Sequence, residues 1–567
     1  MKRLMVSIAF AIGSTPGIGQ IVHMHGESTE RPAKALPPPV MIPGVGNSHF
    51  AITTSSPQAQ VWFDQGLSLL HCFWDFEALR AFRESAQLDP ACAMCQWGIY
   101  RAMEFGGSAA DQLKLVVTRM KELAPGASDH EQRYIRSVVE GFGKKGEEAS
   151  QAYQREMESI IYRYPDDLDA KLLLALSLEN GFDDKGDPRP GELYSIGILR
   201  DILRDHPDNA AANHYWIHAV EAGEHPEWAL ESAEKLGRLA PGSGHMVHMP
   251  GHIFYRTGDY ERARKSFLDS IQVDEAYMRA QKMEPEDDRN YAHNLSYLIA
   301  NSAEEGRARE AFEYAARLEP LAHSATDASH PGMIVFYVIQ VGGTRPRLAI
   351  RFGEWKEAID HPADFGIPEN QLPAAARALR DGMVIYAKAM QSLERDDVDG
   401  GARESDELDA LLWRFTRDRD QTDRTAQRVW EILGVASKEL AGNVASHRGN
   451  YECAKKLLKE AVETEKKLGY SEPPLYSRPS LESLGYAAIR AGQWEAARNA
   501  FRQVLVLRPK SGFGYYGIAL AYDKEGNRSA AAKAYQDFLA SWPHADEDLA
   551  MVRAARAAMA RLNARSQ

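Results

Sequence analysis

Apolar positions recur along this chain at the i, i+3 and i+4 spacing of amphipathic helices, and no segment alternates as a strand does. The pattern repeats with a period of 34 residues, most clearly in segments 485–509 and 518–543, which align without gaps. The matched pairs are Gly492 with Gly526, Ala497 with Ala531, Phe501 with Tyr535, and Pro509 with Pro543. Each unit predicts two helices, because small residues allow them to approach closely and the proline ends the second helix.

The same frame extends well beyond these two units. Its matching residues are Gly66, Ala78, Phe82 and Pro90 near the N-terminal end, and Pro207 and Pro241 in the middle of the chain. The period and the residue types resemble the tetratricopeptide repeat. The resemblance implies an all-α, right-handed superhelical solenoid of helix pairs, in which the first helix of each pair lines a concave groove.

The pattern divides the chain into five predicted parts. They are a signal peptide (1–19), a Pro-rich linker (20–57), an N-terminal repeat array (58–322), degenerate helical repeats (323–445) and C-terminal repeats (446–567). Within the degenerate part, the charged stretch 392–407 is typical of a solvated loop.

Composition and charge exclude several classes of function. The chain has 567 residues and a net charge of −13, and it lacks the basic stripe that a nucleic-acid interface needs. No apolar run after the N-terminus is long enough to cross a membrane. The N-terminus has Lys2 and Arg3, an apolar run over 4–12, and the small residues Gly17 and Gly19. This is the layout of a cleavable signal peptide, so we expect an exported protein, periplasmic or secreted.

The four cysteines do not form a disulfide framework. Cys92 and Cys95 form a CxxC that lacks both the following histidine of a haem-attachment site and the second CxxC of a zinc site. Two alternatives stay open: one disulfide among Cys72, Cys92 and Cys95, or buried free thiols.

Histidines concentrate at a few repeat positions. Counting units from Ala210, Gly244 and Ala292 places the histidines at positions 2, 5 and 9 of three successive first helices, with Glu221 at position 12. The six are His214, His218, His245, His248, His252 and His293. These positions share one helix face, which in the tetratricopeptide repeat points into the groove.

Three interpretations of this face stay open. The first is a metal site for Zn, Cu or Fe, in which His214 and His218 share an ion from one helical turn. Glu221 would then orient a ligand, and shared repeat positions would bring His214 beside His248 and His218 beside His252. The second is a groove for a ligand or peptide, and the third is a purely structural, hydrogen-bonded stripe.

A closer resemblance rests on three segments in order: HYWIHAVE (214–221), PGSGHMVHMPGHI (241–253) and HN (293–294). They are similar to a recurring exported bacterial type of tetratricopeptide-repeat protein with HYxIHAVE and GHxVHMPxHI segments. The resemblance covers roughly residues 46–390 and implies the fold and the importance of the histidine segments, with no particular activity. Segment 180–187 departs from it, because that type commonly carries a tryptophan there.

Two classes of function follow from these patterns. The first is an exported scaffold that holds a peptide, a protein or a small ligand in its groove, with Tyr486, Phe513 and Tyr516 as anchors at groove positions. The alternative is a metalloprotein, which could also be an enzyme. No HExxH motif and no GxxxxGK[ST] loop assigns a reaction, and the sequence identifies no catalytic residue.

Overall fold

The computed structural model describes residues 36–108, 110–183, 185–326 and 335–564. Within these residues the chain is helical, and the one strand-like contact is an isolated bridge between Phe182 and Pro188. The predicted all-α fold is confirmed. The predicted signal peptide and the first part of the linker lie outside the described residues.

The helices of the described residues follow one another along the chain with short connections. They are α1 (Pro57–His71), α2 (Asp75–Leu88), α3 (Ala93–Phe105), α4 (Ala110–Leu123), α5 (Asp129–Gly141), α6 (Gly146–Arg163), α7 (Leu168–Leu178), α8 (Glu192–Asp205), α9 (Ala210–Glu221), α10 (Leu230–Leu239), α11 (Gly244–Arg256), α12 (Tyr260–Gln281), α13 (Arg289–Glu304), α14 (Ala308–Leu318), α15 (Thr344–Phe352), α16 (Trp355–Asp360), α17 (Ala374–Glu394), α18 (Val398–Asp418), α19 (Arg424–His447), α20 (Tyr451–Lys466), α21 (Ser480–Arg490), α22 (Trp494–Leu507), α23 (Gly512–Glu525), α24 (Arg528–Ser541) and α25 (Ala550–Ala564).

Helix packing follows the order of the chain. Odd-numbered helices from α1 to α23 pair with the helix that follows, and each pair packs against the next pair, as in α9–α10 against α11–α12. The apolar core is therefore a series of clusters that pass from pair to pair, the organisation of a solenoid.

A glycine–phenylalanine contact shows why small residues recur with the repeat. A Cβ atom on Gly66 would lie 2.7 Å from the ring of Phe82. A Cβ atom on Gly251 would lie 2.4 Å from the ring of Phe267, and a Cβ atom on Gly485 would lie 2.5 Å from the ring of Phe501. In these three pairs glycine allows the first helix to lie directly on an aromatic ring of the second helix.

The C-terminal repeats fold back onto the middle of the array. Glu304, the last residue of α13, is the centre of this seam. Its backbone carbonyl accepts from Trp542 Nε1 at 2.7 Å, and its carboxylate accepts from the Ser511 hydroxyl at 2.7 Å. Gly306 O accepts from the backbone N–H of Asp546 at 3.0 Å. The connection 467–479 between α20 and α21, called the strap below, contacts α9 and α11 through Tyr470 and Glu472.

The described part of the linker region, residues 36–56, contains no helix and lies against the array. Val45 and Phe50 are buried, and Gly44 O accepts from the backbone N–H of Gly242 at 2.8 Å. Both backbone and side chain of Thr53 donate to the Glu131 carboxylate. This segment is therefore part of the packed structure.

Two expectations about local structure are decided here. The prediction of a solvated loop at 392–407 is wrong, because α17 and α18 occupy most of this stretch. The Asp397 side chain caps α18, and Gly401 packs against Leu393. Of the two cysteine alternatives, Cys92 and Cys95 are joined by a disulfide. Among the described residues, no helix combines the length and the apolarity that crossing a bilayer requires.

Candidate metal centre

The six histidines lie on the first helices α9, α11 and α13, whose starting points are fixed by side-chain caps. Asn209, Ser243 and Asp288 each accept a hydrogen bond from the backbone N–H three residues further on. The caps decide where each helix begins, and so which side chains face the neighbouring first helix. All six histidines are buried, with at most 6% of their surface exposed.

The histidines form two triads. The first triad consists of His214, His218 and His245, and the second of His248, His252 and His293. In each triad, positions 5 and 9 of one first helix meet position 2 of the next first helix, and the nitrogen atoms lie within 4.8 Å of one another. The triads are therefore two copies of one arrangement, generated by the repeat itself.

In the first triad, the hydrogen bonds made by the Nδ1 atoms determine whether the Nε2 atoms carry hydrogen. His214 Nδ1 lies 2.7 Å from the backbone carbonyl oxygen of His71, which only accepts, so Nδ1 is the donor. His218 Nδ1 donates to Glu221 Oε1 at 2.9 Å. In the neutral rings both Nε2 atoms therefore present lone pairs. These two atoms lie 3.1 Å apart, and His245 Nε2 lies 2.9 Å from His214 Nε2.

Two lone pairs at this distance repel each other unless a cation lies between them. A proton on one ring would remove the repulsion, and so would a metal ion. Imidazole nitrogens bind zinc at about 2.0–2.1 Å, which places two bound nitrogens about 3.3 Å apart in a tetrahedral site. The first triad therefore fits a transition-metal ion after small movements of its rings.

The second triad is oriented in a similar way. His252 Nδ1 donates to Glu221 Oε2 at 2.7 Å, which makes Nε2 of the neutral ring a lone pair. His248 Nε2 lies within hydrogen-bonding distance of that atom, and the ring centroids of His248 and His293 are 4.7 Å apart. A hydrogen bond donated by His248 Nε2 to the His252 lone pair satisfies this contact without a cation. The second triad therefore fits a metal ion but does not require one.

Glu221 connects the two triads, because one of its oxygens accepts from His218 and the other from His252. Burial alone would raise the pKa of Glu221, but His252 and His218 hold it well below its usual range. From the strap, the Tyr470 hydroxyl donates to Glu221 Oε2 at 3.1 Å, and Glu472 Oε2 lies 3.5 Å from His252 Nδ1. Burial and the nearby Glu221 raise the pKa of Glu472 well above its usual range. Glu221 is therefore the ionised carboxylate and Glu472 the protonated one.

Burial favours the neutral form of four of the imidazoles. It lowers the pKa of His245, His248 and His293 well below the ordinary value, and repulsion among the neighbouring histidines lowers it further. Burial also lowers the pKa of His252, against the opposing effect of Glu221. Neutral imidazole is the form that binds a metal ion, so at pH 7 these rings do not have to lose a proton first.

The triads lie between aromatic walls and a cleft. The ring centroid of Phe73 lies 4.6 Å from that of His214, and the centroid of Tyr297 lies 4.5 Å from that of His252. A cleft of about 440 Å³ reaches one histidine of each triad. Its lining includes His245, His293, Asp274, Arg289 and Asn290. A small polar molecule in this cleft would contact both triads.

The structure brings all six predicted histidines together with Glu221, but not in the predicted pairs. Shared repeat positions place His214 beside His248, and His218 beside His252. This pairing is wrong, because neighbouring first helices are shifted along their axes and position 2 of one lies level with positions 5 and 9 of the other. Tyr470 and Glu472 of the strap also contact this site, and all six histidines are buried.

Sequence reasoning missed the groups that complete the site. Tyr470 reaches Glu221 from 249 residues further along the chain. The His71 carbonyl comes from the last residue of α1 and the Phe73 ring from the turn that follows, more than a hundred residues before α9. No local sequence pattern marks these residues, because they reach the site only when segments distant in the chain pack against one another.

The three predicted groove anchors lie in the C-terminal repeats, far from the triads in the chain. Phe513 is buried, with its ring edge-on to Trp542 and the Arg351 guanidinium 3.4 Å from its centroid. Tyr486 and Tyr516 are half-buried and contact Phe501 and Phe538 of their own units. All three predicted anchors therefore take part in packing between helices.

Comparison with known proteins agrees with the repeat period. The family model of the tetratricopeptide repeat matches residues 480–511 and 514–545, which cover α21 to α24. The chain contains tetratricopeptide repeats. No curated protein resembles the chain closely enough to count as a relative.

Three solved structures of repeat proteins are similar to this tetratricopeptide-repeat chain. Yeast Tom70 is 12% identical, over 90% of this chain and 97% of that chain, with a TM-score of 0.31. The TPR domain of P58(IPK) is 16% identical, over 66% of this chain and 94% of that chain, with a TM-score of 0.21. The human IFIT1 dimer with m7Gppp-AAAA is 10% identical, over 79% of this chain and 90% of that chain, with a TM-score of 0.32.

Proposed function

We propose that this tetratricopeptide-repeat protein is a metalloprotein that binds two transition-metal ions, one in each histidine triad. The observation that carries the proposal is the first triad, where two outward hydrogen bonds leave the Nε2 lone pairs of His214 and His218 facing each other at 3.1 Å. Imidazole-only donor sets suit Zn, Cu or Fe and not Mg or Ca. Glu221 then orients one ligand in each centre, the usual role of a carboxylate behind a ligating histidine.

The number of ligands supports a reactive site over a purely structural one. Structural zinc sites use four protein ligands, whereas catalytic sites use three and keep one position for water or substrate. Each triad supplies three imidazoles, and His245 and His293 face a common cleft. A small molecule in that cleft is therefore placed to bind at both ions.

Metal analysis of the protein tests this proposal directly. Tag-free protein, equilibrated with Zn(II) or Cu(II) and then freed of excess metal, should contain two equivalents. His214→Ala and His252→Ala should each lose about one. His225→Ala is the matched control, because His225 is exposed on the connection after α9 and contacts only Glu227 and Trp228. Wild-type protein that retains neither metal would overturn the proposal and leave the triads as hydrogen-bonded packing.

A second function, binding of a protein partner, is favoured by the tetratricopeptide-repeat match over 480–545. In these repeats Val506 and Leu507, at the end of α22, are 79% and 54% exposed. We infer that these two exposed apolar side chains contact a protein partner. The Val506→Asp, Leu507→Asp double variant should lose a partner that the wild-type protein retains on an affinity column. Retention of the same proteins by both would argue against this surface.

We also propose that the chain is exported. The basic and apolar N-terminal pattern supports this, and the Cys92–Cys95 disulfide suits an oxidising compartment. N-terminal sequencing of protein from the native host should begin near residue 20. A mature protein that retains Met1 would contradict export by this route.

A further inference from the structure

A second cleft, of about 480 Å³, shares no lining residue with the histidine cleft. Its walls include residues of α11, α13, α15 and the strap, together with Gln340 and the residue that follows α22. Three arginines line it: Arg347, Arg351 and Arg508. A concentration of guanidinium groups in a cleft calls for a count of the negative charges that balance them.

Two of the arginines are paired with carboxylates. Arg351 donates to Glu482 at 2.7 Å and to Glu304 at 3.0 Å, and Arg508 donates to Glu304 at 2.7 Å. The two carboxylates therefore balance Arg351 and Arg508.

Arg347 is bound by neutral groups only. Its acceptors are Ser477 Oγ at 3.2 Å, Ile339 O at 3.1 Å, Gln340 Oε1 at 2.9 Å and Pro474 O at 2.6 Å. No carboxylate oxygen of the described residues lies within 4 Å of its guanidinium. Loss of water around the group, and then repulsion from Arg508, lowers the pKa of Arg347 to about 10. It stays charged at neutral pH, so the cleft holds one positive charge in excess.

The neighbouring Arg351 adds an unfilled hydrogen bond. Its side chain is buried, and its Nε–H has no acceptor among the described residues. Buried donors are normally satisfied, and one that is not marks a place for a further acceptor. The excess charge and the unfilled donor therefore lie in the same cleft.

We propose that this cleft binds a small organic carboxylate. A single negative charge matches the single excess guanidinium. Four of the five N–H donors of Arg347 already have acceptors, so the remaining Nη2–H and the Arg351 Nε–H are the donors left for the two oxygens of a carboxylate. Ile299, Leu348 and Pro474 provide an apolar lining for its hydrocarbon part. The site is independent of the metal proposal, since none of its lining residues belongs to a triad.

Calorimetric titration of the full-length protein with benzoate tests the site. We expect saturable binding with a Kd at or below about 1 mM and at least tenfold weaker binding of benzamide, which has the same shape without the charge. A short peptide with a free C-terminus that binds, while its amidated form does not, would identify a chain end as the source of the carboxylate. Equal binding of benzoate and benzamide, or preference for inorganic phosphate over every carboxylate, would overturn the proposal.

Two substitutions on α15 sharpen the test. Arg347→Gln should weaken benzoate binding at least tenfold and leave the metal content unchanged. Arg345→Gln is the control, because Arg345 lies two residues earlier and is paired with Glu357 at 2.8 Å outside the cleft. If Arg347→Gln does not fold, Arg347→Lys keeps the charge without the fork and should bind benzoate more weakly than the wild type. Undiminished benzoate binding in the variant that folds would overturn the assignment to Arg347.

Discussion

Two first helices, α9 in the histidine region and α23 in the C-terminal repeats, differ in how many of their residues are buried. In α9, which carries His214 and His218, all twelve residues are buried. In α23, from the repeats matched by the family model, six of fourteen are buried, and all six are glycine, alanine or phenylalanine. The repeat framework is the same. The difference lies in the partners: Tyr470 of the strap donates to Glu221, and the His71 carbonyl accepts from His214, so polar side chains of α9 have partners in place of water.

This difference has an energetic consequence. A polar group that loses water must find a partner inside the protein, or its burial costs stability. In the histidine region the partners come from far along the chain, as Tyr470 does for Glu221. In the C-terminal repeats the ion pairs are mostly local, such as Arg498 with Glu495 and Glu525. The central region therefore depends on long-range closure, and the C-terminal repeats depend mainly on their neighbours.

Removing Glu304 should produce the largest effect, because it would break the seam between the two regions. Its carboxylate binds Arg351, Arg508 and Ser511 in a buried network. Glu304→Ala would leave two guanidinium groups without their shared partner, and breaking a buried ion pair costs about 3–5 kcal/mol. Urea unfolding should show this loss and separate into two transitions, since the C-terminal repeats would no longer unfold with the centre.

A local pair in the C-terminal repeats is the control for this loss. Glu525 pairs with Arg498 at 2.6 Å and is partly exposed. Glu525→Ala should cost less than about 1 kcal/mol, as surface pairs do. Similar losses for both variants would show that the seam is no more important than a local contact.

A pH titration should give the next largest effect, at Glu305. Burial raises the pKa of Glu305 to about 7, and Asn301 Nδ2 donates to it at 3.0 Å. The folded state holds this proton more tightly than the unfolded chain, whose glutamates titrate near pH 4.3. The destabilising contribution is therefore absent below about pH 4.3 and complete above about pH 7, where it reaches about 3.7 kcal/mol.

Glu305→Gln should remove that pH dependence, because glutamine keeps an acceptor for Asn301 and carries no charge. The variant should be more stable than the wild type at pH 8 and nearly equal to it at pH 4. Unfolding curves measured across this range decide the matter. A parallel pH dependence in the two proteins would show that Glu305 is already ionised at low pH in the folded state.

The sequence predicted the helix pairs because their signals are local. Gly251 and Phe267 lie in one unit, and so do Gly485 and Phe501, so the period alone identifies the contacts within each pair. It also identified the six histidines and Glu221, since their repeat positions decide which way they face. The shift between adjacent first helices is not encoded in any one unit, and the predicted histidine pairs were therefore wrong.

Metal removal should affect only the histidine region. For one site, metal at a hundredfold excess over its dissociation constant stabilises the folded state by about 2.7 kcal/mol. Protein treated with a chelator should melt at a lower temperature, and Zn(II) should restore the loss. His214→Ala and His245→Ala belong to the same triad, so the double variant should lose no more metal-dependent stability than either single variant.

Hydrogen exchange would locate that effect. Amides of α9, α11 and α13 should gain protection when metal is added, and those of α21 to α24 should not. Equal gains in both regions would mean that metal acts on the whole array and not at the triads.

The smallest effects should come from a matched pair of glycines, one in each region. Gly251 lies against Phe267 in the histidine region and Gly485 lies against Phe501 in the C-terminal repeats, at nearly the same closeness. Alanine at either site forces a ring away from the helix, and overpacking of this kind costs about 1–3 kcal/mol. Gly434 in α19 is the control, because nothing lies within 4 Å of its added Cβ, and Gly434→Ala should stabilise its helix by about 0.5–1 kcal/mol.

The two regions should respond differently to the same substitution. Phe267 also touches the second triad, with its ring centroid 5.0 Å from that of His248, whereas Phe501 contacts Tyr486. Gly251→Ala should therefore lower metal affinity at the second triad as well as stability, because the displaced ring moves His248. Gly485→Ala should lower stability alone. Thermal melts with and without Zn(II) measure both quantities, and unchanged metal stabilisation in Gly251→Ala would show that the ring relaxes without moving the histidine.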